Sequence, residues 1–70
     1  LAPILVESVF HVIKSLRERG ITILLVEQNV RLTLETADRA CVLENGRVAM
    51  EGCCDKLLTS EHIRKAYLGL

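Results

Sequence analysis

The run Ile21-Thr22-Ile23-Leu24-Leu25-Val26, closed by Glu27-Gln28-Asn29, constrains this chain more than any other stretch. It is rich in β-branched side chains, follows Gly20 and shows no polar alternation, so it reads as a strand buried on both faces. Such a strand belongs inside a parallel sheet, with a neighbour on each edge and cover above and below. Ligands of open α/β sheets sit beyond the carboxyl ends of the strands. Glu27, Gln28 and Asn29 therefore emerge where chemistry is expected.

Seventy residues supply little to surround that strand. A domain of this size buries about 60% of its unfolded surface, against about 70% for one of about 150 residues, so its core is marginal. The first residue is Leu1 rather than methionine. The expectation is one small domain or, in preference, the carboxyl-terminal part of a larger one.

Charge and composition exclude several partners. Nine Lys plus Arg balance nine Asp plus Glu, and Phe10 and Tyr67 are the only aromatic residues, so no basic stripe interleaved with aromatics marks a nucleic-acid surface. No apolar stretch approaches the roughly 20 residues that cross a bilayer, and the start lacks a signal-peptide layout, so no direct membrane insertion is expected. Three cysteines, two of them adjacent, make no disulfide framework and suit a reducing cytosol.

Along the chain, Leu1-Ala2-Pro3 reads as the end of a loop, with Pro3 in the first turn of a helix where no amide hydrogen is needed. The helix is expected over 4–19. Val6, Val9, Phe10, Ile13 and Leu16 fall at helical spacing, and Leu5 and Val12 widen the stripe into a core face. Glu7, His11, Lys14 and Glu18 occupy the opposite side. Arg17 and Arg19 favour the negative end of the helix dipole before Gly20 stops it. After the strand at 21–26 and a loop at 27–29, Asn29 caps a helix over 30–36, with Val30, Leu34 and Ala37 on one side and Arg31 and Glu35 as an i,i+4 pair. Strand, helix and next strand make a right-handed crossover.

Residues 40–51 read as a hairpin about Asn45-Gly46, the most favoured two-residue turn. Direct pairing sets Glu44 opposite Arg47 and Leu43 opposite Val48, so that Cys41, Leu43, Val48 and Met50 share one face. Gly52 is expected to end the second strand. Two terminal helices over 53–70 come next, the second capped by Ser60, with Leu57, Leu58, Ile63, Ala66, Tyr67 and Leu68 offered for docking. Cys53-Cys54 matches neither a zinc pattern nor a thioredoxin-type spacing, and His11 and His62 stand apart, so no metal site is expected.

Taken on their own, the residues yield little catalytic chemistry. There is no serine elbow, no cysteine with a partner base and no Gly-rich phosphate loop. An apolar strand ending in Glu-Gln-Asn remains, and its bland reading is a helix cap at Asn29 with two solvated exit residues.

The order of features says more. A strand ending Val26-Glu27-Gln28-Asn29 is followed by Ala37-Asp38-Arg39, then by Val42-Leu43-Glu44-Asn45-Gly46-Arg47-Val48, then by Glu51-Gly52 and Arg64-Lys65-Ala66-Tyr67-Leu68-Gly69. In this colinear order the chain resembles the end of an ABC-transporter ATP-binding subunit, in the branched-chain amino acid importer subfamily. The resemblance implies an α/β fold: the C-terminal part of a P-loop NTPase domain, after the Walker B motif, with parallel strands, a crossover helix, a β-hairpin and terminal helices. It implies that residues 1–3, Leu1, Ala2 and Pro3, end the D-loop that contacts the opposite subunit, with Ala2 where most of the superfamily has an aspartate.

The resemblance further implies that Gln28 occupies the switch position, where histidine commonly reaches the γ-phosphate. A glutamine amide donates to a phosphate oxygen and accepts from water, but carries no charge and shuttles no proton at neutral pH. The intact subunit would use ATP and Mg2+, pair with a second, identical or homologous ATPase, and serve a membrane permease from the cytoplasmic face of the bacterial inner membrane. The phosphate loop, Walker B carboxylates and signature motif lie upstream in the family. The 70 residues alone are therefore expected to be catalytically incompetent. Urea-uptake or lipopolysaccharide-export ATPases, and a small α/β interaction module without enzyme activity, are the alternatives.

Overall fold

The computed structural model describes residues 2–70. Helix α1 spans Pro3–Glu18, with Ala2 in extended conformation as its N-cap and Pro3 in its first turn. The Ala2 carbonyl accepts from the amides of Leu5 and Val6 at 2.9 and 3.1 Å. Expected over 4–19, the helix runs one residue earlier at each end, because proline at the first helical position costs no hydrogen bond. Gly20 comes after it at φ +85°, a left-handed conformation that glycine adopts without strain.

The stripe of α1 is only partly covered. Phe10 is buried, whereas Leu5, Val9 and Val12 are exposed and Val6, Ile13 and Leu16 are half-buried. Arg17 ties this helix to residues 36–38: Nη2 lies 3.0 Å from Asp38 Oδ1, and Nη1 donates to the Thr36 carbonyl. Its charge there favours the carbonyl end of the next helix.

Residues 21–27 depart from the expected buried strand. They adopt no regular element, and Leu24 and Val26 are 91% and 89% exposed. A strand buried on both faces exists only between neighbours, and among the described residues no strand pairs with this segment. The crossover lapses with it, since the expected parallel pair is not formed.

Helix α2 covers Val30–Thr36, with the Asn29 side chain accepting from the Leu32 amide at 3.1 Å. Leu34 is buried with Val30 and Ala37 packed beside it. Arg31 does not pair with Glu35; its Nη2 donates to the Leu68 carbonyl at 3.1 Å, because the end of the chain returns to this helix.

Strands β1 (Arg39–Glu44) and β2 (Arg47–Cys53) form a two-stranded antiparallel sheet. The turn between them has Asn45 at φ +53° and Gly46 at φ +74°, the two positive values that a tight hairpin requires. Glu44 pairs with Arg47 and Leu43 with Val48, as direct pairing dictates. Beyond them the register shifts. Val42 faces Met50, so Ala49 is the extra residue of a β-bulge. The bulge moves Met50 from the face of Cys41 to that of Val42, and this is the packed face: Val42 is buried and Met50 half-buried, while Cys41, Leu43 and Val48 are exposed. Gly52 lies within β2 rather than ending it.

Helix α3 (Cys54–Leu58) follows Cys53, which as N-cap makes no side-chain hydrogen bond; the amide of Cys54 donates instead to the Asp38 carbonyl at 3.0 Å. Helix α4 (Glu61–Tyr67) is capped by Ser60, whose Oγ accepts from the Ile63 amide at 3.4 Å. Leu34, Val42, Cys54, Leu57 and Ile63 form the core, with Met50, Leu58, Tyr67 and Leu68 packed on it. The core therefore joins α2, the hairpin and the two short helices. Ala66, expected in this docking surface, is exposed.

Candidate functional site

Gln28 stands where the extended segment turns into α2. Two side chains shape that turn. The Glu27 carboxylate accepts from the amides of Gln28 and Asn29 at 2.8 and 3.3 Å, and the Asn29 side chain then caps α2. Gln28 itself is exposed, and no hydrogen bond engages its side chain among the described residues. A free amide at this point can donate through its nitrogen and accept through its oxygen at once.

The same loop borders an open, mainly apolar cavity of about 720 Å³. Residues 23–28 form one wall, Val30, Thr33, Leu34 and Ala37 of α2 another, and residues 39–43 of β1 with Tyr67 a third. The Thr33 hydroxyl is buried without a hydrogen-bond partner among the described residues. An orphaned buried hydroxyl costs about 1–3 kcal/mol.

A second cluster was not singled out in the sequence. Glu44, at the end of β1, accepts from the Tyr67 hydroxyl, and His62 Nε2 lies 2.8 Å from the same carboxylate oxygen. The His62 and Tyr67 rings meet edge-on with centroids 6.2 Å apart. The Tyr67 hydroxyl, and after it His62, hold the Glu44 carboxyl below its ordinary range. The same bond to Glu44, assisted by burial, raises the Tyr67 phenol. This group fastens α4 to the hairpin.

Of the other sequence candidates, Ala2 and Pro3 are exposed at the start of α1, and no hydrogen bond joins them to the Gln28 loop among the described residues. Leu1 lies outside the described residues. The Cys54 thiol is buried, and burial pushes its pKa up, away from the reactive thiolate. Among the described residues no group of three or more His, Cys, Asp or Glu is placed to hold a metal, and no helix is long and apolar enough to cross a membrane.

No protein-family model matches the chain. Individual proteins do. It is 51% identical over 69 residues to the high-affinity branched-chain amino acid transport ATP-binding protein BraG of Pseudomonas aeruginosa, a match that covers 99% of this chain and 30% of BraG. Over nearly its whole length the chain is similar to ATP-binding subunits of ABC transporters. A probable branched-chain amino acid transport ATP-binding protein, LivF of Archaeoglobus fulgidus, is 44% identical over 71 residues, covering all of this chain and 30% of LivF. The lipopolysaccharide export system ATP-binding protein LptB of Escherichia coli is 34% identical over 67 residues, covering 96% of this chain and 28% of LptB. The chain thus spans less than a third of the length of these ABC relatives.

Proposed function

We propose that this chain is part of an ATP-binding and ATP-hydrolysing subunit that energises membrane import of branched-chain amino acids. The observation that carries the reading is the similarity to BraG over nearly the whole chain. In this reading residues 21–26 become a central strand once other parts of the protein provide its neighbours. The cavity beside it, walled by extended chain on two sides, fits such a neighbour.

Gln28 then stands at the switch position. Phosphoryl transfer to water needs backbone amides and a lysine around the phosphates, a magnesium ion held by Ser/Thr and Asp, and a residue that positions the water. The exposed amide of Gln28 suits the last role, donating to a γ-phosphate oxygen and accepting from water, with charge stabilisation left to other groups. A phosphate loop of the P-loop type is not among these 70 residues. Turnover by this chain therefore requires groups outside it, and ATP with Mg2+ is assigned to the intact subunit.

Leu1, Ala2 and Pro3 contribute to the contact with a second ATPase subunit, identical or homologous. Membrane permease subunits are the other partners. The place of work is the cytoplasmic face of the bacterial inner membrane, held through those partners. The similarity to LptB supports a second reading, energising lipopolysaccharide export.

Reconstitution of the full-length protein with its permease separates the two readings. Import of leucine, isoleucine or valine driven by ATP is the expected result. ATP-driven extraction of lipopolysaccharide without amino acid uptake would replace the first reading by the second.

A further inference from the structure

The turn that carries Gln28 is held by the residue before it. We propose that Glu27 is the positioning residue of the switch glutamine, an assignment that rests on the ATPase reading of Gln28. One carboxylate oxygen of Glu27 accepts from two successive amides, 2.8 Å from that of Gln28 and 3.3 Å from that of Asn29. Asn29 Oδ1 takes the Leu32 amide at 3.1 Å on the far side. Gln28 is therefore fixed between two side-chain brackets, one closing the extended segment and one opening α2.

The physical reason lies in the backbone. Where an extended segment ends and a helix has not begun, amides belong to neither ladder, and the chain is free to rotate unless a side chain takes them. A side-chain oxygen on the preceding residue, carboxylate or amide, can accept from both. Fixing the backbone at Gln28 fixes the direction of its Cα–Cβ bond, and so the place where its amide is presented. Glu27 commits one oxygen to this task. It acts through Gln28, and its contribution is to geometry: a misplacement of about 1 Å at a reacting group lowers rates by up to about 100-fold.

The acceptor matters here more than the charge, and a set of variants can separate the two. In the full-length subunit, Glu27→Ala, Glu27→Gln and Gln28→Ala are compared by ATP turnover and by hydrogen exchange at the amides of residues 28 and 29. Glu27→Ala is expected to speed exchange at both amides and to lower kcat about tenfold with KM for ATP unchanged. Glu27→Gln keeps a carbonyl acceptor at the same reach, and is expected to restore slow exchange and most of the turnover. Because Glu27 is exposed, these variants should melt with the parent protein, so a loss of activity is not a loss of fold.

Unchanged exchange in Glu27→Ala would overturn the bracket. Unchanged turnover in Glu27→Ala beside a slowed Gln28→Ala would overturn the positioning role while leaving the switch reading intact. A Glu27→Gln variant as slow as Glu27→Ala would also overturn it, since the carboxylate charge would then act in the chemistry itself. If Gln28→Ala turns over normally, the switch reading fails and the positioning role of Glu27 fails with it.

Discussion

Glu44 shows how one side chain acquires its properties from partners that sequence spacing hides. Its carboxylate meets residues 18 and 23 positions away, His62 and Tyr67, because α4 folds back on the hairpin. The pKa directions fix the sign of the pH dependence. The Glu44 carboxyl is lowered from its ordinary value of 4.5, so its contribution to stability is complete above that value and is lost as pH falls through the folded value. The Tyr67 phenol is raised from 10.0, so its contribution is complete below that value and is lost as pH rises through the folded one. The tether of α4 is thus expected to hold between these limits and loosen outside them. Tyr67 is the sole tyrosine and there is no tryptophan, so tyrosinate absorbance of the 70-residue chain reads it directly. It should titrate above free tyrosine, and Glu44→Ala should bring it back. A midpoint indifferent to Glu44→Ala would mean that the bond does not tether α4 in solution.

At the scale of elements, local signals proved legible and partner-dependent ones did not. The Asn29 and Ser60 caps, Pro3 at the helix start and the Asn45-Gly46 turn depend on a few adjacent residues, and each stands where the residues place it. The bulge at Ala49 carries no comparable signal, and it sets Met50 beside Val42 rather than Cys41 on the packed face. Residues 21–27 are the sharpest case. Their pattern specifies burial on two faces, yet burial is conferred by neighbours, and Leu24 is 91% exposed where none is present. Leu24→Asp separates the pattern from the present surroundings. In the full-length protein the strand reading expects it to bury an unpaired carboxylate and cost about 3 kcal/mol or more, seen as a loss of soluble, cooperatively melting protein. An unchanged melting curve would mean that the segment stays exposed there too.

The whole molecule has a coherent but small core, from Leu34 through Val42 and Leu57 to Ile63, with an open face along α1 and the extended segment. Chain order, rather than any single motif, made the ABC relationship legible. The switch role proposed for Gln28 comes only from that resemblance, since by spacing alone Glu27, Gln28 and Asn29 are exit and capping residues. Glu27 as a bracket was not legible, because a carboxylate followed by two amides becomes a turn only when the backbone bends there. On the proposed reading, the surfaces left open on α1 and at residues 21–27 would be covered by other parts of a subunit of the relatives' length, of which this chain spans less than a third. The central claim is that Gln28 serves ATP hydrolysis in that larger assembly. Its most direct test is Gln28→Ala in the full-length subunit, with ATP binding and ATP turnover measured on the same preparation. Turnover reduced at least about tenfold with binding nearly unchanged is the expected result, as for a group that acts mainly in the transition state. Turnover equal to that of the parent protein would contradict it.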